Sequence, residues 1–291
     1  MVTIQRCEYN VAIALIDADL VAFRCAATVQ DYDPVDVAIY RVDVLMRQIL
    51  EATESKEYKA YLTGRGNFRK AINTEYKANR KDKEPPCYLQ DCREYLIKEW
   101  NAVVSQGCEA DDLLGIEQTD ETVVCSLDKD LLMIPGVHFN WNKLEYTHVD
   151  QLTGLRTFYK QMLIGDRSDN IFGVDKIGPV KAAKLIDHLT NEQEMLETVF
   201  ELYNQDEERF IMNAQCLWIM QNKDETWAHR TLHELDLPNQ LLLGMERELE
   251  FMKSLTDDIS MEQSTMKPLM SGIPANGTEM DTTPTNQTAL I

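Results

Sequence analysis

Val11-Ala12-Ile13-Ala14-Leu15-Ile16-Asp17-Ala18-Asp19 decides the fold of this 291-residue chain. Six apolar residues without alternation describe a strand covered on both faces, as inside a parallel sheet. The acid that follows marks the carboxyl end of the strand, where open α/β sheets gather their functional side chains. Tyr58–Leu62, Thr122–Leu127 and Val137–Trp141 have the same near-continuous apolar character. Helical patterns lie between them at Asp36–Ala52, Tyr88–Trp100 and Ala110–Gln118. Alternation of this kind predicts an α/β fold over residues 1–150, with a mainly parallel central sheet flanked by helices. Past residue 150 the strand signals fade. Val180–His188, Glu192–Tyr203 and Glu208–Gln221 then predict a C-terminal helical region reaching about residue 256. Residues 257–291, rich in Ser, Thr, Asn, Pro and Met, are expected to be a disordered tail.

Bulk properties exclude several classes. There is no apolar run of about 18 residues, so no membrane span is expected. Val11–Ile16 is too short for a leader and runs into an acid, which predicts a cytoplasmic protein. Seven cysteines, none spaced Cys-x-x-Cys, read as reduced thiols. Cys87 and Cys92 lack the companion ligands a zinc site needs. The formal charge of −20 argues against a polyanionic partner. Its distribution reverses that argument locally. Arg65, Arg69, Lys70, Lys77, Arg80, Lys81 and Lys83 face only Glu75 and Asp82 between residues 65 and 83, a stripe with five excess positive charges. Such a stripe on an acidic body suits nucleic acid bound modestly and salt-sensitively. A solvated charged face is the plainer reading of the stripe taken alone.

Four acidic groups fall at strand ends or turns: Asp17; Glu109, Asp111 and Asp112; Asp128 and Asp130; Asp166 and Asp169. Local structure explains each singly. Asp111 and Asp112 suit a first helical turn, and Asp128 suits a helix cap. Jointly they would meet on one rim. Two unit charges about 4 Å apart repel by roughly 4 kcal/mol at an effective dielectric near 20. Such a rim calls for protons or for hard divalent ions, Mg²⁺ or Mn²⁺. A pair of ions about 4 Å apart suits phosphodiester hydrolysis. Directly after the last acids, Gly173-Val174-Asp175-Lys176-Ile177-Gly178-Pro179 reads as a hairpin with glycines for close backbone approach. Pro179 opens the next helix, whose first amides suit a phosphate.

The blocks Ile16-Asp17, Glu75-Tyr76-Lys77-Ala78-Asn79-Arg80, Gly107-Cys108-Glu109-Ala110-Asp111-Asp112, Ser126-Leu127-Asp128-Lys129-Asp130 and Gly165-Asp166-Arg167-Ser168-Asp169-Asn170 stand in one order along the chain. In that order the chain resembles a bacteriophage 5′→3′ exonuclease of the 5′-nuclease superfamily, kin to flap endonucleases and to the 5′-nuclease domain of bacterial DNA polymerase I. The resemblance covers about residues 11–190. It implies a Mg²⁺- or Mn²⁺-dependent hydrolase of DNA with free 5′ ends or 5′ flaps, acting as a monomer in phage DNA replication or degradation. RNA in hybrids is a further expected substrate. It implies that Asp17, Glu109, Asp111 and Asp112 surround one ion and that Asp128, Asp130, Asp166 and Asp169 surround a second. Lys77 would contact the scissile phosphate with Arg80 beside it, and Tyr76 would stack on an unpaired base. Residues 81–100 would form a helical arch. Arg69, Lys70, Lys81 and Lys83 would touch DNA, as would Gly173, Gly178 and Lys181 of a helix–hairpin–helix around 171–188. That hairpin often holds K⁺ in such proteins.

One departure stands out. The superfamily's aspartate at the end of the second strand falls at Thr63-Gly64 here, which implies a weaker first metal site. Three other readings stay open. Asp17-Ala18-Asp19 with Gly165–Asn170 imitates a haloacid-dehalogenase-type phosphatase with Asp17 as nucleophile. A catalytically weak binder of branched DNA and a small PIN-type ribonuclease are the others. All three leave the Tyr76–Arg80 block or the hairpin without a task, or the chemistry without its acids.

Overall fold

The computed structural model describes residues 11–81 and 83–265. The first half alternates as expected: β1 (Ile13–Asp17), α1 (Ala18–Ala27), α2 (Val35–Thr53), β2 (Glu57–Leu62), α3 (Arg69–Ile72), α4 (Leu89–Glu99), β3 (Val103–Val104), α5 (Ala110–Glu117), β4 (Thr122–Cys125), β5 (Gly136–Asn140) and β6 (Glu145–Val149). The strands make one six-stranded sheet in the order β3-β2-β1-β4-β5-β6. Every pairing is parallel except β5 with β6. This is the α/β architecture read from the sequence.

Period-two geometry explains the unbroken apolar runs. Ala14, Ile16, Ala60, Leu62, Val123 and Cys125 join one core with Val21, Val42, Met46, Cys92 and Leu96 from α1, α2 and α4. Leu15 and Val124 alternate to the other face and are also fully buried. α5 packs on β1 and β2. The chain winds outwards from β1 in both directions, so the order reverses between β1 and β4, the place where open sheets hold ligands. The antiparallel β6 was not anticipated: Glu145–Val149 is mostly exposed and polar, the pattern of an edge strand.

The second half is helical: α6 (Gln151–Ile164), a two-stranded ribbon of β7 (Gly165–Asp166) and β8 (Ile171–Phe172), α7 (Pro179–Ile186), α8 (Glu192–Leu202), α9 (Glu207–Leu217), α10 (Trp227–Glu234) and α11 (Asn239–Thr265). Residues to Arg247 form one compact unit, and Glu248 onward belongs to a second. Because α11 runs to Thr265, the stretch 257–265, expected as tail, is helical; 266–291 and Cys7 lie outside the described residues. The helix expected over Glu208–Gln221 stops at Leu217. Beyond it the backbone serves other partners: Trp218 O accepts from Arg69 Nη2 at 2.6 Å, and Met220 N donates to Asp112 Oδ1 at 3.1 Å.

The segment expected as an arch is also different. α4 buries Cys92 and Leu96 completely, so residues 89–99 are part of the body. The described residues between Lys83 and Tyr88 carry no helix, and Pro85-Pro86 explains why. Among the described residues no helix is long and apolar enough to cross a membrane.

Candidate metal-dependent active site

Every acid at the rim is delivered by the end of an element. Asp17 closes β1 and caps α1, its Oδ1 accepting from Leu20 N at 3.1 Å. Its Oδ2 accepts from Ser126 Oγ at 2.8 Å, across the β1–β4 switch point. Ser126 Oγ also accepts from Asp128 N at 3.0 Å, and Asp128 Oδ1 accepts from Asp130 N at 2.9 Å. A turn of local hydrogen bonds thus aims the group after β4 at the group after β1. Glu109 and Asp111 come from the start of α5, and Asp166 and Asp169 from the ribbon after α6.

These residues line one cleft of about 560 Å³. It holds eight acids: Asp17, Asp19, Glu109, Asp111, Asp128, Asp130, Asp166 and Asp169. Lys70, Lys77, Arg80 and Arg93 line it too. Burial raises the Asp17 carboxyl to about 7, against the Leu20 and Ser126 hydrogen bonds, while Asp19 and Asp128 add like charge. Asp130 rises to about 7 through burial and then the charges of Asp128 and Asp166. Asp111 goes well above the usual carboxylate range, through burial and then Asp17, Glu109 and Asp128. The pocket therefore favours protons or cations over bare carboxylates.

The Glu75–Arg80 block and the loop 166–170, some ninety residues apart in sequence, dock on each other. Lys77 N donates to Asp169 O at 2.9 Å, Asn79 Nδ2 to Arg167 O at 2.7 Å, and Asn170 Nδ2 to Glu75 O at 2.9 Å. Lys77, itself at φ 58°, sends Nζ to Glu109 Oε1, with Asp169 Oδ2 3.5 Å away. Arg80 pairs with Asp169 Oδ1 and gives Nε to Ser168 O at 3.1 Å. Two cations thus stand among the acids, Lys77 largely buried and Arg80 half in solvent.

Four expectations are corrected. Asp112 is fully buried and does not line the cleft. Its Oδ2 accepts from Arg69 Nη1 at 2.6 Å and Glu109 N at 2.9 Å, and its Oδ1 from Arg69 Nη2 at 2.7 Å and Met220 N. With its lone pairs so committed, it holds structure together rather than an ion. Arg69, expected on DNA, is the other half of that pair and is only 2% exposed. Tyr76 is 3% exposed, so its ring cannot stack on a base; its hydroxyl lies 2.9 Å from both Glu109 Oε2 and Asp169 Oδ2. Gly173 is buried: a Cβ there would meet Leu163 O at 2.4 Å and Gly165 N at 2.5 Å. It packs backbone on backbone, while Gly178, exposed at the start of α7, is open to a partner. Lys70, Lys81, Lys83 and Lys181 are exposed.

At the site of the departure, Gly64 leaves no room for an acid, because a Cβ would lie 2.0 Å from Ser105 O. Thr63 Oγ1 instead accepts from Ala110 N at 3.0 Å, at the start of α5. Asp19 Oδ2 accepts from Thr63 N at 2.7 Å, and Arg93 bridges Asp19 Oδ1 and Thr63 O. Arg93 was not singled out from sequence, since a lone arginine in an amphipathic helix carries no signal.

The donor set fits a hard divalent ion, since its acidic donors are carboxylate oxygens crowded in one cleft, where burial and then like charge disfavour the bare anions of Asp17, Asp111 and Asp130. Among the described residues, no three acids close on one point as a finished cage. Mg²⁺ does not require one, because it keeps several waters and takes one or two carboxylates.

A mainly parallel α/β sheet with an acid-lined cleft at its switch point, beside a helical C-terminal region, defines a protein built like the 5′-nucleases. No family model matches the chain. It is 29% identical to the 5′-3′ exonuclease of Buchnera aphidicola subsp. Schizaphis graminum over 205 residues, covering 62% of this chain and 71% of that protein. It is 26% identical to flap endonuclease Xni of a Shewanella species over 190 residues, 59% of this chain and 73% of the relative. Among solved structures it superposes on the bacteriophage T5 D15 protein, co-crystallised with metal ions, with TM-score 0.56, 16% identity, and 72% and 89% coverage. A complex of the T5 D15 flap endonuclease with DNA and metal ions gives TM-score 0.55 over the same shares, again at 16% identity. In sequence this chain is similar to a 5′-3′ exonuclease and a flap endonuclease, and in fold to the 5′-nucleases, phosphodiester hydrolases whose solved structures carry metal ions.

Proposed function

We propose that this protein is a divalent-metal-dependent 5′→3′ exonuclease and 5′-flap endonuclease acting on DNA, and on RNA in hybrids. The observation that carries the reading is the single cleft in which eight acids from four separate elements meet Lys77 and Arg80. The named relatives, an exonuclease and a flap endonuclease, support the same direction. A role in phage DNA replication or degradation, as a cytoplasmic monomer, belongs to this proposal and rests on the motif resemblance.

Asp17, Glu109 and Asp111 would hold one Mg²⁺ or Mn²⁺, and Asp128, Asp130, Asp166 and Asp169 would hold a second. Bound there, such ions supply an activated water and neutralise charge on the phosphodiester. The remaining work belongs to side chains already in place. Lys77 and Arg80 bring fixed positive charge to the phosphate oxygens as negative charge builds there. Tyr76 is held protonated by burial and ties Glu109 to Asp169, fixing the distance between the two acid groups. Lys70, Lys81 and Lys83 attract the backbone, and the exposed Gly178–Lys181 turn would grip duplex phosphate without reading sequence, with K⁺ as a further ligand of the hairpin. A phosphatase would need Asp17 as a free nucleophile, whereas both its oxygens accept hydrogen bonds and it is 3% exposed.

The test is incubation with Mg²⁺ and a 5′-labelled flap duplex, with p-nitrophenyl phosphate in parallel. Release of mono- or oligonucleotides is expected, abolished in Asp128→Asn/Asp130→Asn with DNA binding intact. Hydrolysis of the small ester alone, or full activity of the double variant, would sink the reading.

A further inference from the structure

Gln161 sits on α6 and lines the acid cleft beside Asp130 and Asp166. No motif marks it. Its side-chain amide lies close enough to Asp130 to act on that carboxyl, lowering it against burial and the like charges, which suits Nε2 and not the carbonyl turned towards the acid. The carbonyl Oε1 is therefore left pointing elsewhere. It is buried and has no hydrogen-bond partner. An orphaned buried acceptor is costly, and native proteins keep few of them. An acceptor wants a cation or a donor hydrogen, and the cleft that Gln161 lines is rich in acids.

We infer that Gln161 is a positioning residue of the metal site. Its carbonyl would accept a hydrogen from a water carried by an ion held beside Asp128, Asp130 and Asp166. The inference rests on the proposed function. A Mg²⁺-type ion retains several waters, whose hydrogens need acceptors inside a closed cleft. Outer partners that orient ligands and waters commonly govern affinity 10–100-fold. A neutral carbonyl meets this need without adding charge to a pocket where Asp130 is already crowded.

The experiment compares wild type, Gln161→Met and Gln161→Glu with Asp130→Asn as reference. Mn²⁺ binding is measured by calorimetry, waters on bound Mn²⁺ by proton relaxation, and Tm with and without Mn²⁺. Gln161→Met is expected to bind Mn²⁺ 10–100-fold more weakly, with altered relaxation per bound ion and a smaller Mn²⁺-induced rise in Tm. Gln161→Glu keeps an acceptor oxygen and is expected to bind at least as tightly as wild type, so it reads the same question if the Met variant does not fold. Unchanged Mn²⁺ affinity in Gln161→Met, with Tm lowered equally in both conditions, makes the residue a packing group and overturns the inference alone. Weaker binding by Gln161→Glu overturns it as well. Absence of Mn²⁺ binding by wild type overturns this inference and the proposed function together.

Discussion

At the residue scale, charge decides more than shape. Asp17 is the acid most deeply committed, with its carboxyl raised to about 7 by burial. A rise from the ordinary value near 3.8 corresponds to ~4 kcal/mol favouring the protonated form. The stabilisation is complete below the unfolded-state value and is lost as pH rises through about 7. Without added divalent ions the protein should therefore melt progressively lower between about pH 4 and pH 7. Asp17→Asn keeps the cap geometry and removes the charge, so at pH 8 its Tm should exceed wild type by roughly 8 °C or more, with no difference near pH 4. Thermal melts across that range in chelator check this; a parallel offset at both ends contradicts it. Lys77 lies where charge would build on the phosphate. Lys77→Ala is expected to slow single-turnover cleavage by about 10²-fold or more while DNA Kd changes only a few-fold. Equal losses in both would make Lys77 a tether.

At the element scale, the Arg69–Asp112 pair ties α3, α5 and the end of α9 together. Arg69 starts α3, Asp112 is in the first turn of α5, and the same guanidinium caps the end of α9 through Cys216 O at 2.9 Å and Trp218 O. Burial opposes the charge on Arg69, and Asp112 overrides that opposition. Removing one partner leaves the other buried and uncompensated, so Arg69→Met should cost about 3–5 kcal/mol in denaturant unfolding. A loss under 1 kcal/mol would show that water or backbone replaces the guanidinium. The pair also shows where sequence reading stops. Arg69 within a basic stripe and Asp112 within an acidic block read as ligands for DNA and metal, and only their 2.6–2.7 Å contacts show that they satisfy each other.

At the scale of the whole molecule, an acidic chain must carry its DNA contacts locally. The structure withdraws Arg69 from the stripe and leaves Arg65, Lys70, Arg80, Lys81 and Lys83 exposed around the cleft. If all five meet phosphates, the slope of log K against log salt should lie near −4.5, and Lys70→Ala/Lys81→Ala should reduce its magnitude by about 2. Fluorescence anisotropy over a salt series measures this, and a slope unchanged by the double variant would place the duplex elsewhere.

The strands β1, β2, β4 and β5 and the acids after β1 and β4 were legible because burial on both faces of a parallel sheet forces near-continuous apolar runs. Each run ends where side chains can be functional. The α4 segment was misread as an arch because its stripe of Cys92 and Leu96 says that one face is buried without saying against what. Tyr76, Gly173 and Asp112 were misassigned for a related reason: a polar or small residue in a functional motif serves equally well as a ligand or as a strut. The sequence by itself determined the α/β class, the order of the elements and the acids that stand at strand ends and turns, since periodicity and strand-end position are local properties of the chain. Only the tertiary structure decided which charges neutralise one another, which glycines are packed and where Gln161 leaves its carbonyl unmatched. Those outcomes depend on contacts between residues tens to more than a hundred positions apart, and no local pattern encodes them.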